Sequence, residues 1–183
     1  VIEFQPLKAI ENTREFGKQN YVNFKIPKAR ILVVDDNATN LQIASQLLRR
    51  YDCQVMEASG GLEALQILES EKFDLVLLDI MMPGMDGLEV ARRVRGMNFE
   101  EADSLPIVAL TANAMNSMKT KCLEAGMNDY VTKPMRAEIL DKVLKQYIPK
   151  WKIEALTEKE VVEEAKENAK QDAEIAKESI LKM

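Results

Sequence analysis

The chain has 183 residues and not one histidine. That absence removes imidazole as a general base, nucleophile or metal ligand from any account of what the protein does. Cysteine is scarce as well. Cys53 and Cys122 are the only two, and both fall in segments that read as ordinary strand and helix. No disulfide framework is read there, and a reduced, cytoplasmic compartment is expected. No run of 18 apolar residues occurs, so no membrane-spanning helix is expected, although 46% apolar residues suffice for a core. A surplus of basic residues is missing too. The formal charge of −5 argues against broad nucleic-acid contact, where a basic face is needed. The opening residues, Val1-Ile2-Glu3-Phe4, show neither an initiator Met nor a signal-peptide pattern, which reads as a piece of something longer.

What is present is an alternation. Arg30 to Val34 is rich in β-branched residues and too short for a helix. A helix follows, with Leu41, Ala44, Leu47 and Leu48 on one stripe and Thr39 with Gln42 expected as its capping box. Cys53 to Glu57, Phe73 to Leu78, Leu105 to Leu110 and Met127 to Val131 read as further strands, each followed by a helical pattern. Five strand-helix pairs between residues 29 and 149 imply a doubly wound five-stranded parallel sheet with helices on both faces. In such a fold a site lies beyond the carboxyl ends of the strands, where strand order reverses.

The flanks read differently. Residues 1–28 hold Phe4, Phe16, Tyr21 and Phe24, too aromatic for a free linker, and Val22, Phe24 and Ile26 alternate as in a short strand or packed arm. From Glu154 the composition turns to Ala, Glu and Lys. Thr157 with Glu160 forms a capping box, and Val162, Ala165, Ala169, Ala173, Ala176 and Ile180 make a thin apolar stripe. Residues 150–183 therefore read as a charged helix or linker that joins domains or pairs weakly with a partner.

The strand ends carry the chemistry. "LLDIMMPGMDG", residues 77–87, ends an apolar run on one carboxylate, Asp79, just before a Pro-Gly turn. Asp35 and Asp36 follow the first strand, Thr111 the fourth and Lys133 the fifth. Singly, each has a plainer reading: a solvated loop for Asp35-Asp36, a turn residue for Asp79, a strand terminator for Thr111, a surface lysine for Lys133. Those plain readings require four coincidences at one end of one sheet. Three close carboxylates repel unless a cation is bound, and their hard oxygens suit Mg²⁺. A divalent ion and an ammonium neutralise a transferring phosphoryl group, with Asp79 as nucleophile forming an acyl phosphate. Thr111 is placed to hydrogen-bond the resulting phosphoryl oxygen, vacating space for the ring of Tyr130.

The stretches "ILVVDDNATN", "LVLLDIMMPGMDG", "PIVALTANAM" and "DYVTKP" resemble the receiver domain of two-component response regulators, over about residues 29–149. The resemblance implies the flavodoxin-like receiver fold. By position it makes Asp79 the phosphoacceptor, Asp35 and Asp36 the metal-binding pair, and Met81 the donor of a backbone carbonyl to Mg²⁺. Thr111 and Lys133 match the phosphate-sensing hydroxyl and bridging lysine, Tyr130 the aromatic switch, and a cis peptide is implied before Pro134. The segment "FKIPKARILVVDD" is similar to the approach to receivers of hybrid sensor histidine kinases. The resemblance implies a cytoplasmic location, either free or as the cytoplasmic part of a membrane-bound sensor kinase. The implied partner is a histidine kinase or histidine phosphotransfer domain, reached near the helix that starts at Thr39. Direct nucleic-acid and membrane contact is not expected, weak self-association is left open, and residues 113–148 are expected to change on phosphorylation.

Two other readings compete. One is a Mg²⁺-dependent aspartyl phosphatase on a similar sheet, but such enzymes need a second aspartate two residues after the nucleophile. Met81 stands there and cannot transfer a proton. The other is an interaction module with a receiver fold and no phosphoryl chemistry, against which the intact set Asp79, Thr111 and Lys133 argues.

Overall fold

A computed structural model describes residues 22–98, 100–112 and 115–181. Phe4, Phe16 and Tyr21 of the aromatic arm lie outside the described residues, as do Asn113 and Ala114 at the start of the 113–148 face. Five parallel strands form the central sheet: β2 (Arg30–Val34), β3 (Gln54–Ala58), β4 (Leu75–Asp79), β5 (Ile107–Thr111) and β6 (Asp129–Thr132). A short strand β1 (Phe24–Lys25) precedes them. Their order is β3-β2-β4-β5-β6. Strand order therefore reverses between β2 and β4, which pair directly, Val34 beside Leu78.

The apolar runs divide between two cores because neighbouring residues of a strand point to opposite faces. Ile31, Val33, Leu75, Leu77, Val108 and Leu110 meet α1 (Ala38–Arg49) and α5 (Ala137–Tyr147). Leu32, Val34, Val76, Leu78, Ile107 and Ala109 meet α2 (Gly61–Ser70), α3 (Gly87–Arg95) and α4 (Asn116–Glu124). Both faces are covered, which is why these strands are continuously apolar rather than alternating.

The helix caps are part of how the site is placed. Asp86 caps α3 by accepting a hydrogen bond from Glu89 N at 2.8 Å. On α1 the cap differs from the expected pair Thr39 and Gln42. Asn37 is the capping residue, in extended backbone, accepting from Thr39 N at 2.9 Å and Asn40 N at 3.4 Å. β2 ends at Val34, so only three residues separate it from the helix, and Asn37 rather than Thr39 is the last one outside it.

The flanking segments fold back onto the sheet. β1 pairs antiparallel with β7 (Glu154–Ala155), Phe24 beside Ala155 and Lys25 beside Glu154. Val22, Phe24 and Ile26 are buried in the α1/α5 core, and the Phe24 and Tyr51 rings lie 5.0 Å apart. Beyond β7, α6 (Glu158–Leu181) begins with the expected box: Thr157 N and Oγ1 donate to Glu160 Oε2 at 2.7 and 2.6 Å. Among the described residues its sheltered side shares only Ala165 with the predicted stripe. Val162, Ala169 and Ala173 are exposed, whereas Val161, Glu164, Ala165 and Asn168 are half-buried. The side of α6 turned to the body is thus one residue out of step with the apolar stripe. The side chains of Ala176 and Ile180 lie outside the described residues. No described helix is long and apolar enough to cross a membrane.

Candidate functional site

Three carboxylates meet at the carboxyl end of β2 and β4. Asp35 follows the last residue of β2 and Asp79 is the last residue of β4; both are almost fully buried, at 1% and 2% exposure. Asp36 is exposed at the rim. One carboxylate oxygen from each of Asp35, Asp36 and Asp79 lies within 4.8 Å of the others. That set fits a hard divalent cation that keeps part of its water shell.

Lys133 reaches this cluster from the end of β6. Its Nζ lies 2.8 Å from Asp35 Oδ2 and 2.9 Å from Asp79 Oδ1. Its backbone N–H donates to Thr111 O at 2.8 Å, which fixes the lysine relative to β5, and the Lys133-Pro134 peptide is cis as the resemblance implied. The ammonium is partly withdrawn from water, which alone would lower its pKa. The hydrogen bonds and charges of Asp35 and Asp79 outweigh this and hold it above the ordinary lysine value. Burial pushes the Asp79 carboxyl up. The hydrogen bond from Lys133 opposes that, the negative charge of Asp35 adds to it, and the net direction is upward.

Asp35 is held on every side. Asn37 N donates to its Oδ1 at 2.9 Å, and Asn40 Nδ2 donates to Oδ1 and Oδ2 at 3.2 and 3.1 Å. The first turn of α1 therefore orients the carboxylate. Asn37 and Asn40 were not singled out in the sequence. The signal available was Asn at the third residue beyond the strand, where a helix start needs a short acceptor.

Met81 stands in the loop after β4, its backbone N–H 3.4 Å from Asp79 Oδ1 and its side chain 72% exposed. Thr111 is buried at the end of β5, one residue beyond Leu110, which stands opposite Asp79 in the sheet. Tyr130 lies on β6 beside Ala109, half-buried against the α2/α3/α4 core. The structure brings Asp35, Asp36, Asp79 and Lys133 into one cluster, with the Met81 backbone against Asp79 and Thr111 buried at the end of the neighbouring strand. Tyr130 lies on β6, three residues before Lys133, and packs against the adjoining core.

A switch-point pocket of this composition on a doubly wound sheet defines a receiver-type signalling domain. The profile of the response regulator receiver domain matches residues 31–145, and the chain belongs to that family. It is 44% identical over 123 residues to the sensor protein GacS of Pseudomonas syringae, a match covering 67% of this chain and 13% of GacS. It is 37% identical over 117 residues to the sensor histidine kinase RcsC of Salmonella typhimurium, covering 64% of this chain and 12% of RcsC. The chain thus spans about an eighth of the length of these curated relatives. Among solved structures, the receiver domain of a Pseudomonas aeruginosa sensor histidine kinase, with magnesium in its active-site cleft, superposes with a TM-score of 0.60. That pair shares 34% identity over 65% of this chain and 96% of the other. The Vibrio cholerae chemotaxis protein CheY4 gives a TM-score of 0.62 at 30% identity, over 66% and 98%. The domain is a receiver of the two-component phosphorelay type.

Proposed function

We propose that Asp79 is the phosphoacceptor of this receiver and that Asp35, Asp36, Asp79 and the Met81 carbonyl hold Mg²⁺. The observation that carries the reading is the Lys133 ammonium set between Asp35 and Asp79 at 2.8 and 2.9 Å, beside an acidic trio. When bound, Mg²⁺ supplies positive charge to the equatorial phosphoryl oxygens. An Asp79 oxygen attacks phosphorus, the bond from phosphorus to the donor nitrogen breaks, and its electron pair stays on the imidazole. The acyl phosphate that results is stabilised by Lys133. Asp35, fixed by Asn37 and Asn40, keeps the lysine directed inward while Asp79 reacts. Thr111 then bonds the phosphoryl group, Tyr130 follows into the vacated volume, and the 113–148 face changes.

The donor is a phosphohistidine on a histidine kinase or histidine phosphotransfer domain that lies outside these 183 residues, which contain no histidine. It docks over α1 and the loops around Asp79. We assign residues 29–149 to the receiver, 1–28 to the arm leading into it and 150–183 to a charged helical linker. The context is the cytoplasmic side of a hybrid sensor kinase. This receiver promotes its own phosphorylation and dephosphorylation without turning over a separate substrate.

Acetyl phosphate with Mg²⁺, followed by mass spectrometry of peptides, tests the site. Label is expected on Asp79, none without Mg²⁺, and none in Asp79→Asn, since an amide does not attack phosphorus. Stoichiometric label on another residue in that variant removes Asp79 from its role.

A further inference from the structure

α1 presents Ile43, Leu47 and Arg50 in one row along its outer flank. At its upper end Ile43, 44% exposed, lines a small cavity of about 50 Å³ together with Asp35, Lys133, Pro134 and Met135. At its lower end the same row forms one wall of a larger groove of about 580 Å³. The opposite wall of that groove is α6, through Glu164 and Asn168. A single helix flank therefore joins the lip of the phosphoacceptor pocket to the C-terminal helix.

The seating of α6 is polar and incomplete. Lys25, held by Arg50 O at 2.7 Å and facing Asp52 at 3.5 Å, forms an ion pair with Glu164 at 2.5 Å. Asn168 Nδ2 is buried with no hydrogen-bond partner among the described residues. The exposed apolar residue of this part of α6, Val162, points away from the body. A helix seated on the groove through the Lys25–Glu164 ion pair, with an amide left unsatisfied among the described residues, is poised to separate.

We propose that α6 is a releasable strap that competes with the phosphohistidine donor for the flank of α1. This rests on the reading that the donor docks over α1. With the strap seated, a helix approaching along Ile43 and Leu47 meets the Glu164–Asn168 wall. With it released, the flank is open from the phosphoacceptor pocket to Arg50. The transfer rate then scales with the open fraction. If about a tenth of the molecules are open, full release raises the rate about ten-fold.

The test uses the full chain and a phosphorylated histidine phosphotransfer domain as probe, with acetyl phosphate as a donor that needs no docking. Glu164→Lys breaks the ion pair and sets a like charge against Lys25. Ala165→Pro interrupts α6 independently. Both are expected to speed transfer from the phosphotransfer domain several-fold and to leave acetyl phosphate labelling unchanged. Asn168→Leu, which removes the unsatisfied amide, is expected to slow transfer and to raise hydrogen-exchange protection in residues 158–168. Ile43→Asp separates the two readings. If it abolishes transfer while the three α6 variants leave the rate at the wild-type value, the donor docks on α1 and the strap is wrong. If Ile43→Asp transfers normally, docking over α1 itself is wrong.

Discussion

Gly87 sits directly beneath Asp79: a Cβ built on it would lie 2.2 Å from the Asp79 carbonyl oxygen and 2.9 Å from Ile80 Cα. The first residue of α3 touches the backbone of the strand end that presents the proposed phosphoacceptor carboxylate. Gly87→Ala must displace one of them, and overpacking of this kind costs about 1–3 kcal/mol. A lower melting temperature and slower acetyl phosphate labelling are expected together. An unchanged melt would mean that α3 can slide without carrying Asp79 with it.

Lys133→Ala leaves Asp35 and Asp79 buried without their shared cation. A loss of about 1–3 kcal/mol is expected in EDTA, less than for a fully buried pair because the side chain keeps 23% of its surface in water. Mg²⁺ should stabilise this variant more than wild type, since the metal is then the only neutralising charge. Thermal melts with and without Mg²⁺ decide it; equal metal-induced shifts in the two proteins would show that the lysine and the metal do not share the cluster.

Asp79 titrates above the ordinary carboxylate value of 3.8 in the folded chain, chiefly through burial. The folded state therefore binds that proton more readily than the unfolded one. The favourable contribution is present in acid and is lost as pH rises through the folded value. In EDTA, Asp79→Asn should thus melt above wild type at neutral pH, and the gap should close as pH falls toward 3.8. A gap independent of pH would place the cause in packing rather than charge.

Asp36 is exposed and buries nothing. Asp36→Ala should leave the metal-free melt intact or slightly raised while weakening Mg²⁺ binding roughly ten-fold or more, the scale of one lost charge interaction. Isothermal titration with Mg²⁺ measures this directly, and wild-type affinity would reduce Asp36 to a surface residue.

Thr111→Ala should still accept phosphate but transmit it poorly, because the buried hydroxyl at the end of β5 is the proposed link to Tyr130. The coupling at stake is about 1–3 kcal/mol. Beryllofluoride, standing in for the phosphoryl group, should shift Tyr130 and residues 115–123 in wild-type NMR spectra and only the neighbours of Asp79 in the variant. Identical patterns in both would exclude Thr111 as the relay.

The central sheet was legible because its strands are buried on both faces, so their residues announce themselves as uninterrupted apolar runs. The pocket was legible because buried strands that end in Asp35, Asp79, Thr111 and Lys133 have few other reasons to do so. Asn37 and Asn40 were not, since a local cap can be drawn from Thr39 equally well until the strand end is fixed. The pairing of Phe24 with Ala155 joins two segments far apart in sequence through two-residue strands, too short for any periodicity. The side that α6 turns to the body was not legible for a different reason. Its polar seat on Lys25 outweighs a stripe made mostly of alanine, whose burial is worth little.

The antiparallel pair of β1 and β7 brings the chain's way in and its way out to adjacent ladder positions, about 4.8 Å apart, at the end of the sheet away from Asp79. The segments before residue 22 and after residue 157 therefore meet at this pair. Tension applied along the polypeptide would fall on this two-residue clasp and bypass the five-stranded sheet. The Asp35–Asp79–Lys133 cluster is off that load path, so neighbouring segments can rotate or stretch without deforming it.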